Sequence, residues 1–329
     1  MNKWMISAVV GLGLALTAAD AGAATVLRLT SQMPAKHHVG QNLLAFKAEV
    51  EKESKGDLKI EIYPASQLYK DEETPQAVST GAVDMGSVSL AQFAGTVPAV
   101  DVFYVPFLFD TEARVRAATA PGSPIRTELD AAILKTGTRV LWWQAFGGSI
   151  LITKGFSVHM PDDLKGKKVR VFGKTLGKFI EAVGGAPTML SGSEQFLAYQ
   201  RGTVDAGMTG ITTVPARKLY QVTDGLTVTN NADVEFIVIV NEKAWQGLTA
   251  KQRAIIETAG RKVEASLRDE VSRLEADALA INKTKMKVVE LTDAERAAWR
   301  AATKPVIAEF VQWTGPIGQK LIDEALKLK

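Results

Sequence analysis

Residues 163–185 read DLKGKKVRVFGKTLGKFIEAVGG. Val169, Arg170, Val171 and Phe172 alternate as a β-strand does. A helix is expected from about Thr175 to Val183, stopped by Gly184-Gly185. A strand that turns through Gly173 into a helix is the unit of α/β folds. The arginine in mid-strand has two readings: a surface charge or structural ion pair, or a ligand for an anion. In open α/β sheets ligands sit in the crevice outside the carboxyl ends of the strands. A guanidinium there offers a planar fork of donors matched to a carboxylate. The helix N-terminus close by adds N–H groups and a favourable dipole. Lys167 and Lys168 read as solvated ammonium groups.

The same unit recurs outward from this stretch. Val26–Leu29 reads as a strand. Val39, Leu43, Phe46 and Val50 then fall on one helix face, with Gly56 as its stop. Leu58, Ile60 and Ile62 alternate as a second strand. STGAVDMGSVS at 79–89 is echoed by QRGTVDAGMTG at 200–210. In each, Gly81 or Gly202 ends a helical segment, and Val83-Asp84 or Val204-Asp205 leads into an apolar run. Two copies of one helix-glycine-strand unit point to two similar lobes. TRVLWWQAFGGSILIT (138–153) reads as two apolar strands broken at Gly147-Gly148. DVEFIVIVN (233–241) is a near-continuous apolar run, the pattern of a strand covered on both faces. From Thr249, which forms a capping box with Gln252, helical periodicity persists to about Asn282. That is about 34 residues and roughly 50 Å, long enough to cross both lobes. Met286–Leu291 reads as a strand, and Thr292–Glu295 caps a further helix that Pro305 interrupts.

Composition narrows the function. The 329 residues are 46% hydrophobic and 23% charged, with a formal net charge of +3 and no dense basic block, which excludes nucleic acid as an expected partner. Lys3, the uncharged run WMISAVVGLGLALTA and Ala21-Gly22-Ala23 form the pattern of a secretory signal peptide over residues 1–23. There is no cysteine, so disulfides and thiolate metal sites are excluded. Export without disulfides fits a periplasmic protein held by its core. Enzymatic signatures are missing. The histidines are His37, His38 and His159, and the adjacent pair cannot put both rings on one helix face. No G-x-S-x-G elbow occurs. Gly166 and Gly173-Lys174-Thr175 mimic a phosphate-binding loop, but the residues between the glycines form the strand itself. No metal and no cofactor are expected.

The segment MPDDLKGKKVRVFGKTLGKFIEAVGGAPTMLSGSEQFLAYQRGTVDAG (160–207) resembles the solute receptors of tripartite ATP-independent periplasmic (TRAP) transporters, the DctP type. Their pattern D-L-K-G-x-K-x-R, G-A-x-P, E-x-Y-x-A-L-Q-x-G-x-V-D-G is kept at Asp163–Gly166, Lys168, Arg170, Gly185–Pro187, Glu194, Ala198, Gln200, Gly202, Val204 and Asp205. It is departed from at Phe196, Tyr199 and Ala206. IEIYPASQL (60–68) and GAVDMG (81–86) also fit. The resemblance implies a two-lobed clam-shell α/β protein, each lobe a sheet flanked by helices, with a long helix across both. Residues 24–147 with 235–274 would form lobe I, and 148–234 with 275–329 lobe II. It implies a monomeric periplasmic receptor that binds a small organic carboxylate and delivers it to a small four-span and a large many-span permease subunit. Arg170 would salt-bridge the carboxylate.

Other pocket positions follow from the same resemblance. Gln32, Ser89, Thr209 and Asp233 would touch the ligand or support residues that do. Gln144 and Phe146 would line the cleft or pack beside Trp142 and Trp143. Sialic-acid receptors of this type carry a second arginine where Ile150 stands, an asparagine where Gly173 stands and an aromatic cover where Gly192 stands. These losses imply a smaller or more apolar acid: an aromatic, branched-chain or 2-oxo acid. An ABC-type or sensor-coupled receptor is the alternative, and the long helix argues against it. A periplasmic enzyme is the more distant one.

Overall fold

The computed structural model describes residues 24–328, so the expected signal peptide lies outside the described residues. Strands β1 (Thr25–Ser31), β2 (Leu58–Tyr63) and β3 (Met85–Ser89) are parallel in the order β2-β1-β3. After the long strand β4 (Thr138–Thr153), strands β5 (Lys168–Val171), β6 (Ala186–Met189) and β7 (Ala206–Gly210) repeat that arrangement as β6-β5-β7. Strands β8 (Gly225–Val228), β9 (Asp233–Asn241) and β10 (Lys287–Glu290) complete the set. Antiparallel β9 extends the first sheet beside β3, and antiparallel β4 extends the second beside β7. Among the described residues no helix is long and apolar enough to cross a membrane.

The sequence echo has a physical cause. Gly81 and Gly202 take left-handed backbone, with φ of +80° and +70°, at the ends of the helices Thr74–Ser79 and Gln195–Arg201. That conformation strains any side chain with a Cβ. Val83 and Val204 are then buried. Asp84 accepts a 2.8 Å bond from the Arg28 N–H at β1, and Asp205 accepts a 2.8 Å bond from the Lys168 N–H at β5. Each aspartate thus satisfies a strand amide that its own sheet leaves open. The two lobes are built on one plan.

Three elements cross between the lobes. The expected break at Gly147-Gly148 does not occur: β4 runs through it as one strand. Residues from Thr138 to Gly148 pair with β9, and from Ser149 to Thr153 with β7, while Leu151–Thr153 also pair with β8. The glycines serve a bulge. Gly147 has φ +106°, and a Cβ there would collide with the Glu275 carboxylate. The second crossing is β9. The third is the helix Ala250–Lys283, capped by Thr249 and Gln252 as the sequence indicates. Its Ile256, Ala259 and Val263 pack with Leu29, Phe46 and Trp142 in lobe I, and its Ala278 packs with Ile150 and Tyr199 in lobe II. Between them, Arg268 forms a bidentate pair with Glu235 of β9, at 2.6 and 2.8 Å.

Glu275 on the same helix accepts a 2.8 Å bond from the Gly148 N–H. Burial pushes its carboxyl up to about 7. The folded state therefore holds a proton there that the unfolded chain has released, and stability falls as pH rises from about 4.5 to 7. Glu275→Gln keeps an acceptor for Gly148 and removes the titration. Its melting temperature relative to wild type is expected to climb between pH 5 and 7.5, by the equivalent of up to about 3 kcal/mol. A pH-independent difference in thermal melts would contradict this.

The end of the chain departs from the expected division. The sequence reading places residues 275–329 in lobe II. The strand β10 does pair with β8 there. But Phe310, Leu321, Ile322 and Ala325, from the helices Pro305–Thr314 and Pro316–Lys327, pack with Val88, Phe103, Trp143 and Ile237. The last two helices therefore return to lobe I, because its sheet face carries the apolar surface that their own apolar stripes need to cover.

Candidate functional site

The carboxyl ends of the parallel strands of both lobes face one cavity. Lobe I contributes Gln32 just after β1, Asp71, and Ser89 at the end of β3. Lobe II contributes Arg170 from β5, Thr209 from β7, Gln195 and Arg217. Phe146 of β4 and Phe236 of β9, with stacked rings 5.1 Å apart, form the back wall at the hinge. This is the topological position at which α/β sheets bind ligands.

Arg170 is 3% exposed, which settles the choice left open by its sequence context against a surface charge. Its Nε donates to the Leu190 carbonyl at 3.0 Å and its Nη1 to the Met208 carbonyl at 2.6 Å. The guanidinium lies 4.9 Å from the Phe172 ring centre. Those contacts fix its direction, yet among the described residues it forms no ion pair. Burial brings its pKa down to about 10, with Tyr199, Asp71 and Glu194 opposing. It stays charged at neutral pH. A buried cation held by two carbonyls and lacking a counter-ion is costly unless something negative arrives.

A second arginine joins it. Arg217 follows the short helix Thr213–Ala216, and its Nη2 donates across the cleft to the Gln32 carbonyl at 3.0 Å and Oε1 at 3.2 Å. Its Nε is buried and, among the described residues, has no partner. Burial and the neighbouring Arg170 lower its pKa to about 10. Asp71 lines the same cavity and accepts the Ser89 N–H at 3.2 Å; burial pushes it up to about 6, so it is mostly ionised at neutral pH. Lys70 and Glu194 pair across the lobes at 2.8 Å. His37 accepts from the Val39 N–H at Nδ1, so its Nε2–H donates to Thr212 of lobe II at 3.2 Å. Burial keeps this imidazole neutral. These contacts hold the cleft shut.

Five of the expected site residues, Gln32, Ser89, Phe146, Arg170 and Thr209, line the cavity, and three do not. Gln144 is fully buried in lobe I, donating to Val39 and Asn42 and accepting from Ser87. It braces β4 against neighbouring elements. Gly173 caps the helix Lys174–Ala182, and a Cβ on it would press within 3.2 Å of Ala91, so it permits close approach of the lobes. Asp233 lies behind the hinge beside Glu235 and Arg268, in a second cavity; burial and Glu235 raise its pKa well above the usual carboxylate range. Asp71, Phe172, Gln195, Arg217 and Phe236 were not expected. Arg217 reads in sequence as an ordinary charge beside Lys218, and Asp71 as part of an acidic surface run. Among the described residues no cluster of three or more His, Asp or Glu could hold a metal ion.

Two lobes of one plan, three crossings and a charged cavity closed between them define a solute receptor of the clam-shell type. Residues 29–313 match the DctP profile, "Bacterial extracellular solute-binding protein, family 7". The chain belongs to this family, the solute receptors of TRAP transporters. It is 30% identical over 324 residues to the C4-dicarboxylate-binding periplasmic protein DctP of Rhodobacter capsulatus, covering 96% of each chain. It is similar to a TRAP periplasmic solute-binding protein from Sulfurospirillum deleyianum with bound succinate: TM-score 0.88, 24% identity, 94% of this chain and 100% of that one. Another from Polaromonas, bound to D-erythronate, matches with TM-score 0.86 and 25% identity over 93% of this chain and 99% of that one.

Proposed function

We propose that this receptor captures a small organic carboxylate in the periplasm, with Arg170 as its principal anchor, and hands it to the membrane subunits of a TRAP permease. The observation that carries the reading is the buried guanidinium of Arg170, which lines an inter-lobe cavity and, among the described residues, forms no ion pair. A ligand carboxylate supplies the missing charge and accepts the remaining N–H groups. Gln32, Ser89, Phe146 and Thr209 shape the space around it. Binding favours the shut form, which is the form a permease can distinguish from the empty, open one. No covalent step belongs to this reading.

The test is thermal melting of residues 24–329 against a panel of organic acids. A ligand that binds only the folded form stabilises it by RT ln(1 + [L]/Kd), about 2.7 kcal/mol at a hundredfold excess over Kd. For a chain of this size that is a rise on the order of 5 °C. At least one carboxylate is expected to give such a rise, growing with concentration. A panel on which neutral analogues shift the melt as much as their acids would defeat the reading.

A further inference from the structure

The three charged side chains on the cavity are Arg170, Arg217 and Asp71. Two cations and one anion leave a formal +1. One ligand carboxylate brings the sum to zero. A second would leave an uncompensated negative charge in a shut, buried site, where it is costly. The hydrogen-bond inventory points the same way. Ionised Asp71 is an acceptor only, and its bonds from the Ser89 N–H and the Gln92 side chain still leave lone pairs unused. The Oε1 of Gln195 is buried with no partner. The acceptors Asp71 and Gln195 on the cavity are therefore open to a donor from its occupant. An ammonium could donate, but a zwitterion would leave the +1 in place. A hydroxyl donates without adding charge. The back wall of Phe146, Val234 and Phe236 is apolar and suits a carbon chain rather than a second charge.

We infer that the cavity selects a hydroxylated monocarboxylate, with the carboxylate between Arg170 and Arg217 and a hydroxyl donating to Asp71, which also repels a second carboxylate. This rests on the carboxylate-receptor reading and narrows it. It separates the chain from the dicarboxylate specificity in the name of its Rhodobacter relative.

The test uses four-carbon acids of one length: the two 2,3,4-trihydroxybutanoates (erythronate and threonate), succinate and butanoate, measured by titration calorimetry on residues 24–329. Wild type is expected to bind one trihydroxybutanoate at least tenfold tighter than succinate or butanoate. Asp71→Asn keeps an acceptor for the Ser89 N–H and is expected to shrink the preference over succinate at least tenfold. Succinate binding wild type as tightly as the hydroxy acids overturns the inference, as does a ratio unmoved by Asp71→Asn. Failure of both hydroxy acids to bind wild type also overturns it. None of these results touches the broader reading, which falls if Arg170→Ala leaves the affinity of a bound carboxylate unchanged. Asp71→Ser, smaller and also an acceptor, repeats the comparison if the asparagine variant is poorly folded.

Discussion

Arg170→Ala is expected to weaken the best-binding carboxylate of the panel by about 30-fold to several thousandfold. Removing one partner of a buried, hydrogen-bonded charge pair costs about 2–5 kcal/mol, and every 1.4 kcal/mol is tenfold in Kd. The loss is large here because the cleft is shut around the site and the guanidinium is 3% exposed, so water cannot replace it. Arg170→Lys retains the charge and loses the fork. Two of the arginine's N–H groups are committed to Leu190 and Met208 and others remain for the ligand; a single ammonium cannot serve both ends. Lysine is therefore expected to recover little. Calorimetric titration, with circular dichroism to verify folding, decides it. Affinity within twofold of wild type would remove Arg170 from the site.

The largest expected effect on stability is at the hinge. Arg268→Met leaves Glu235, 0% exposed, without its bidentate partner. Breaking one side of a buried pair costs about 3–5 kcal/mol, because the stranded charge stays desolvated. The double replacement Arg268→Met with Glu235→Met removes both charges and is expected to regain most of that loss. Urea unfolding of the two variants separates the outcomes. Equal destabilisation by single and double variants would mean that packing of the arginine stem, and not its charge, matters at this crossing.

How much was legible in the sequence follows from how local each signal is. The strand-glycine-helix unit around Arg170, the capping box at Thr249 and the paired G-x-V-D turns depend on neighbours within a few residues, and each is found as read. The twin glycines at 147–148 misled because a bulge and a chain break look alike locally. What keeps β4 whole is β9 lying opposite it, nearly ninety residues later in the chain. Gln144 and Asp233 both face structural partners rather than the cleft, a matter of which side of a crossing strand each falls on. Arg217 and Asp71 carry no spacing signal at all. They become site residues only when the second sheet folds over the first. The destination of the last two helices is likewise set by which lobe still has apolar surface uncovered.

The sharing of β4 by both sheets has a consequence for cooperativity. Although the molecule is a doubled motif, neither half can shed its sheet without stripping the other of a central ladder. The bulge at Gly147 is where the halves would tilt, yet the shared ladder is expected to make them melt as one unit. On that expectation a joint between the lobes goes with a single folding unit, because β4 belongs to both sheets.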